Sequence, residues 1–256
     1  MRPYYEHAGI TIYHGDCREI LPQLRSIDCI VTDPPYGETS LDWDRQVRGW
    51  LTTAAARTSS LWCFGSLQMF MDMARFDDLT MWKRSQEIVW EKHNGSSFHA
   101  DRFKRVHELA VHFYKGEWSE IYKCPVTTPD ATARAVRRKT RPTHTGHIEA
   151  SSYISHDGGP RLMRSVIYAR SCHGRAVHPT QKPTAIIDPL LRYSVPMQGI
   201  VADCFMGSGS TLVAAKNIGL AAIGIDVDER CCELSAKRLR QEVLPLAIQT
   251  VGHAEG

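Results

Sequence analysis

No apolar run in the sequence approaches the roughly 20 residues a helix needs to cross a bilayer. The opening stretch MRPYYEHAGI also lacks the apolar core of a secretory leader. Both absences predict a cytosolic protein. None of the eight cysteines (Cys17, Cys29, Cys63, Cys124, Cys172, Cys204, Cys231 and Cys232) forms a Cys-x2-Cys pair. That excludes a zinc ribbon, and their scatter does not suit a disulfide framework, so reduced and mostly buried thiols are expected. Among twelve histidines, His144 and His147 lie three apart, but no third ligand stands at a familiar spacing, and no metal is expected. Internal repeats and coiled-coil heptads are missing too, which rules out a solenoid or a long rod.

What is present suits one α/β domain with an inserted lobe: 256 residues, 43% apolar and 23% charged. The net charge of +3 conceals an asymmetry. Between Lys123 and Lys182 stand eleven Lys/Arg and three acids (Asp130, Glu149 and Asp157), while the remainder is net acidic. A basic segment on a near-neutral body is the footprint of a polyanion binder. Charge alone equally fits a solvated surface.

Strand and helix signals alternate along the N-terminal part. ITIYHG (10–15), DCIVTD (28–33) and SLWCFGS (60–66) read as strands. REILPQL (18–24), DRQVRGWLTTAAART (44–58) and LQMFMDMARFDDL (67–79) read as helices. QEIVWEK (86–92) and HELAVHFYK (107–115) then follow as two strands without a helix between them, predicting a parallel sheet with an antiparallel hairpin at one edge. From 116 to 178 the periodicity disappears, apart from a strand-like RSVIYA (164–169). A stretch this long without pattern inside a domain is usually functional or disordered. Alternation resumes with TAIIDPLLRYSV (184–195) as a helix that Pro189 either kinks or opens, with Asp188 as cap. GIVADCF (199–205) and AAIGIDVD (221–228) are strands, STLVAAKNIGL (210–220) is a helix, and Asp228 caps a last helix.

VADCFMGSGST (201–211) is therefore strand, Gly-x-Gly turn and helix. Glycines allow close backbone approach to a ligand, and helix N-terminal amides then face it. The next strand ends in Asp226, an acid placed to hold ribose hydroxyls. A nicotinamide dinucleotide would want a third glycine where Leu212 stands, and a longer following domain. Asp203 ahead of the loop suits an ammonium better than a pyrophosphate, which points to S-adenosylmethionine. Far upstream, IVTDPPYGET (30–39) ends a buried strand in a carboxylate, two rigid prolines and an aromatic. A plain turn would account for it; so would a site that grips a flat, nitrogen-bearing ring.

Asp33-Pro34-Pro35-Tyr36, followed by Asp203-x-Phe205-x-Gly207-Ser208-Gly209-x-Thr211, resembles the exocyclic-amino DNA methyltransferases, and the order of the two motifs resembles their β class. HGDCREILPQL (14–24) and HPTQKPTAIIDPLL (178–191) are similar to two further motifs of that class. The matched motifs span residues 14–226 and leave 116–175 uncovered; one departure is Asp226, where the family commonly has Glu.

The resemblance implies a circularly permuted, Rossmann-like class I S-adenosylmethionine-dependent methyltransferase fold, with a mixed seven-stranded sheet and an inserted target-recognition region. It divides the chain into a catalytic half (1–115), the insert (116–175) and a cofactor-binding half (176–256). It implies Asp33, Pro34, Pro35 and Tyr36 as catalytic residues. Asp16, Cys17, Lys182, Asp203, Phe205, Gly207, Gly209, Thr211 and Asp226 would bind S-adenosylmethionine, with Lys182 facing the methionine carboxylate. Arg137, Arg138, Lys139 and Arg141 of the basic insert would contact DNA. The expected reaction is methylation of adenine N6 in double-stranded DNA by base flipping, with cytosine N4 as the alternative. A homodimer is expected by resemblance, and a companion restriction endonuclease is not legible. RNA or protein-glutamine methylation fits less well, because the latter motif begins with Asn and follows the opposite order. A DNA-binding regulator on a dead methyltransferase fold would not need the intact Asp33 and glycine loop.

Overall fold

The computed structural model describes residues 1–76, 78–96, 100–138, 151–171 and 181–240. In chain order the first part runs β1 (Tyr5–His7), β2 (Ile10–His14), α1 (Cys17–Ile20), β3 (Cys29–Thr32), α2 (Trp50–Ala55), β4 (Ser60–Gly65), α3 (Leu67–Arg75), β5 (Lys83–Ser96) and β6 (Arg105–Tyr114). Short strands β7 (Thr127–Thr128), β8 (Arg134–Arg138), β9 (Ser151–Ser155), β10 (Arg161–Leu162) and β11 (Val166–Tyr168) follow. The last part is α4 (Thr184–Ser194), β12 (Ile200–Asp203), α5 (Ser210–Asn217), β13 (Ala221–Asp226) and α6 (Glu229–Arg240).

Among the described residues the main sheet has nine strands, in the order β1-β2-β13-β12-β3-β4-β6-β5-β11. The expected seven form its middle, and β1 and β11 extend its two edges. From β2 to β4 all neighbours are parallel; β6 runs antiparallel to both β4 and β5, which is the predicted edge hairpin. β3 and β4 are buried along their whole length because helices cover both faces. Period-2 alternation sorts their side chains: Trp62 and Phe64 pack with α4, α5 and α6, while Leu61 and Cys63 pack with α1, α2 and α3. The result is a three-layer α/β/α body with one core on each face of the sheet.

Three local readings are corrected. The helix expected over 44–58 is confined to Trp50–Ala55, because Gly49 enters it in the left-handed region (φ 80°) and Asp44 turns back onto the preceding loop. Pro189 lies inside α4 rather than at its first turn, and Asp188 pairs with Arg192 one turn on at 2.8 Å instead of capping. Among the described residues, the stretch without periodicity holds four short strands that were not expected, β8 paired with β9 and β10 with β7, while the expected strand of 164–169 is β11, which joins β5 in the main sheet. These strands are two to five residues long and mostly exposed, too short to print an apolar alternation. Asp228 caps α6 as expected, accepting the Arg230 amide at 2.9 Å. No described helix is long and apolar enough to cross a membrane.

Candidate active site

β3 and β12 are parallel neighbours, and their onward connections diverge, β3 toward β4 and β12 toward β13. A crevice opens beyond the strand ends at such a switch point. The Thr32 hydroxyl donates to Asp203 Oδ1 at 2.7 Å across it, and the Phe205 amide donates to both side chains at 3.2 Å. Phe205 packs edge-on to Trp50 with ring centres 5.4 Å apart, and the Thr211 hydroxyl reaches the Val31 carbonyl at 3.5 Å. The aspartate turn that follows Thr32 and the glycine loop that follows Asp203 therefore leave adjacent strand ends and share one crevice.

On the β3 side, Asp33 accepts the Tyr36 hydroxyl on Oδ1 at 2.7 Å and the Lys182 ammonium on Oδ2. Lys182 is 9% exposed and also stands 3.3 Å from Glu108 Oε2, while Lys92 closes on the other oxygen of Glu108. Burial raises the Asp33 carboxyl above its usual range, against the pull of Lys182. Burial acts to lower the Lys182 ammonium, but the two carboxylates outweigh it, and the net shift is upward. Burial opposes ionisation of Glu108 too, yet Lys182 and Lys92 together hold it below its ordinary range. The backbone after Tyr36 is fixed separately. Asp44, 6% exposed, accepts the amides of Gly37, Glu38 and Thr39 at 2.8, 3.1 and 2.8 Å, and Gln46 donates to the Tyr36 carbonyl at 3.0 Å.

On the β12 side, Gly207 and Gly209 carry positive φ of 49° and 72°, and Gly209 is the residue from which α5 starts. A Cβ on Gly207 would meet nothing within 4 Å; one on Gly209 would stand 2.8 Å from the Ser235 hydroxyl of α6. The loop is tied to β13 by the Gly207 amide on Asp226 Oδ2 at 2.8 Å, and to α6 by the Ser235 hydroxyl on the Gly207 carbonyl at 2.9 Å. The Gly15 amide bonds the Asp226 carbonyl at 2.8 Å, which brings Asp16 and Cys17 to the same strand end. Asp16 caps α1 and is paired with Arg18, which holds its carboxyl below the usual range. Asp228 is occupied by the start of α6 and by Arg230. A loop open at Gly207, with acids at the ends of β12 and β13, suits a nucleoside bearing a cationic tail.

The structure thus brings together Asp33, Tyr36, Lys182, Asp203, Phe205, Gly207, Thr211 and Asp226 around one set of strand ends. Arg137 is exposed on β8; Arg138 is in the same strand, and Lys139 and Arg141, like His144 and His147, lie outside the described residues. Among the described residues no group of three His, Cys, Asp or Glu is placed to hold a metal. Lys182 meets both Asp33 and Glu108. Glu108, Lys92, Thr32, Asp44 and Ser235 were not anticipated. Glu108 and Lys92 stand as charged residues in the β-rich runs HELAV and VWEK, a pattern that does not by itself mark them as facing inward.

Sheet order, strand sense and the paired loops define a Rossmann-like, S-adenosylmethionine-dependent methyltransferase, permuted so that the aspartate turn precedes the glycine loop. The chain belongs to the N6/N4 family of DNA methylases, whose sequence profile matches residues 27–237. It is similar to the type II methyltransferase M.ScaI of Streptomyces caespitosus, 22% identical over 96% of this chain and 86% of that protein. It is also similar to M2.LlaDCHI of Lactococcus lactis subsp. cremoris, 25% identical over 94% and 93%. Of solved structures, the M1.HpyAVI–SAM complex superposes with a TM-score of 0.59 at 24% identity, covering 90% of this chain and 99% of that one. The cytosine-N4-specific PvuII DNA methyltransferase superposes with 0.64 at 16% identity, covering 95% and 90%. The protein is a DNA methyltransferase that uses S-adenosylmethionine.

Proposed function

We propose that the protein methylates adenine N6 at a specific sequence in double-stranded DNA, after the base is flipped out of the helix. One observation carries the reading: the Asp33 carboxylate, held by Tyr36 and Lys182, leads out of the strand that is bonded through Thr32 to Asp203 and the cofactor loop. An aromatic amino group is a poor nucleophile because its lone pair is delocalised into the ring. Asp33 and the Pro34 carbonyl accept its two hydrogens, which favours pyramidal nitrogen and frees that pair; the prolines aim both acceptors beforehand. Tyr36 offers the base a stacking face, worth about 1–3 kcal/mol in comparable sites. S-adenosylmethionine would supply the electrophilic methyl and leave as the thioether when its S–CH3 bond breaks, and Asp33 would take the proton that the nitrogen releases.

For the cofactor, Gly207, Gly209, Phe205 and Thr211 line the loop, Asp203 faces the ammonium end, Asp226 the ribose, and Asp16 with Cys17 the adenine. Asp226 is preferred over Asp228 because it ends β13 beside the glycine loop, whose Gly207 amide it accepts at 2.8 Å, whereas Asp228 caps α6. Residues 1–115, 116–175 and 176–256 serve as catalytic half, target-recognition insert and cofactor half, and the assembly is a homodimer. Asp at the first motif position favours adenine, since Ser is more frequent there in cytosine-N4 enzymes.

Incubation with labelled S-adenosylmethionine and plasmid DNA, then digestion to nucleosides, tests the proposal. N6-methyladenine is expected, abolished in D33A. N4-methylcytosine would refute the base assignment, and no label in any DNA would leave only a regulator on this fold.

A further inference from the structure

The part-buried charges around Asp33 alternate in sign. Asp33 meets Lys182, Lys182 meets Glu108, and Glu108 meets Lys92, with side-chain exposures of 23%, 10%, 16% and 22% in that order. The chain joins three regions remote in sequence: the turn after β3, the segment leading into α4, and the β5–β6 hairpin, where Glu108 stands opposite Trp90. A lysine stem has four rotatable bonds and is poorly fixed by a single carboxylate. Here Nζ is held from two sides, with the rings of Phe64 and Tyr36 at 5.5 and 5.8 Å.

We propose that Glu108 is a positioning residue for methyl transfer: with Lys92 behind it, it anchors Lys182 against Asp33, so that the carboxylate meets the target amino group in one orientation. The inference rests on the reading of Asp33 as acceptor of the amino hydrogens. It also assigns Lys182 to the carboxylate of the catalytic turn, not to the methionine end of the cofactor. Two physical points support it. Fixing Asp33 through both oxygens spares the reorganisation a mobile acceptor would need as the nitrogen reacts. Positive charge grows on that nitrogen as it gains the methyl, and Glu108 compensates the Lys182 charge that would otherwise oppose it. With one of its two partners neutralised, Lys182 is an under-compensated buried cation free to abandon the geometry.

The test uses the full chain, with E108Q and E108D compared to wild type for turnover on plasmid DNA and for S-adenosylmethionine affinity by calorimetry. Expected for E108Q is a fall in kcat of about 10- to 100-fold with cofactor affinity within about threefold of wild type. E108D, which restores the charge on a shorter arm, recovers part of the rate. Unchanged kcat in E108Q overturns the proposal, and so does a loss of cofactor affinity that matches the loss of rate. If E108Q does not fold, E108D decides by the same split between rate and affinity. D33N separates this inference from the reading beneath it. An active D33N removes the role of Asp33 itself, whereas an inactive D33N beside a fully active E108Q removes only the role of Glu108.

Discussion

Asp203 is the residue whose setting has the clearest chemical consequence. It is 4% exposed at the end of β12, and burial pushes its carboxyl up to about 6, while the Thr32 and Thr211 hydroxyls and the Phe205 amide favour ionisation. A carboxyl raised on folding makes the native state bind the proton more tightly than the unfolded chain does. Its contribution to stability is therefore complete below about pH 4 and is lost as pH rises through about 6, by about 3 kcal/mol. A cation beside it favours the ionised form, so binding of S-adenosylmethionine should expel a proton below pH 6. Affinity should then fall up to about tenfold per pH unit between 6 and 5, and D203N should bind weakly with a flat profile. Wild-type affinity that stays constant from pH 5 to 7.5 would remove Asp203 from the ammonium site. Asp33 and Asp203 were legible because each ends a buried apolar run at a glycine- or proline-marked turn. Glu108 was not: a lone charge in a strand normally faces water, and only the folded structure sets this one 3.3 Å from Lys182.

The proposed cofactor site assigns the ligand to the glycine loop and the start of α5, and the two glycines there make different demands. An L-residue at positive φ costs roughly 1–2 kcal/mol at either position. At Gly209 the added methyl also strikes Ser235 of α6, 2.8 Å from its hydroxyl, so strain and overpacking add. G209A should therefore lower the melting temperature by about 5–10 °C. At Gly207 the methyl meets nothing within 4 Å. G207A should melt within about 4 °C of wild type yet lose S-adenosylmethionine affinity at least tenfold. Equal affinity in G207A and wild type, measured by calorimetry, would take the loop away from the ligand. The strand–turn–helix itself could be read from the sequence, because glycine spacing and apolar runs agree there. The short α2 could not, because apolar spacing over 44–58 is silent about Asp44 folding back onto the amides of residues 37–39. The ribbons of residues 127–162 were equally hidden, since exposed two- to five-residue strands carry no apolar face for a period to mark.

At the scale of the whole molecule, permutation and charge segregation have one logic. Because β3 and β12 are neighbours, the order of their motifs along the chain is immaterial to the crevice, and the basic segment falls between the two halves that build it. The acidic remainder repels phosphate, so the proposed recognition of DNA falls to the segment from Lys123 to Lys182. Arg137, exposed on β8, together with Arg138, Lys139 and Arg141, is the densest part of that charge. Replacing all four by Ala should abolish measurable DNA binding at physiological salt and leave S-adenosylmethionine affinity unchanged. Four single substitutions, each titrated over a salt series, then separate the roles. A residue on phosphate makes the slope of log K against log salt shallower by about 0.9 and weakens all sequences alike. A residue on a guanine edge costs about 1–3 kcal/mol at one base pair only. DNA affinity and salt slope that survive the fourfold change would mean that the polyanion is held elsewhere, and would detach the basic segment from recognition altogether.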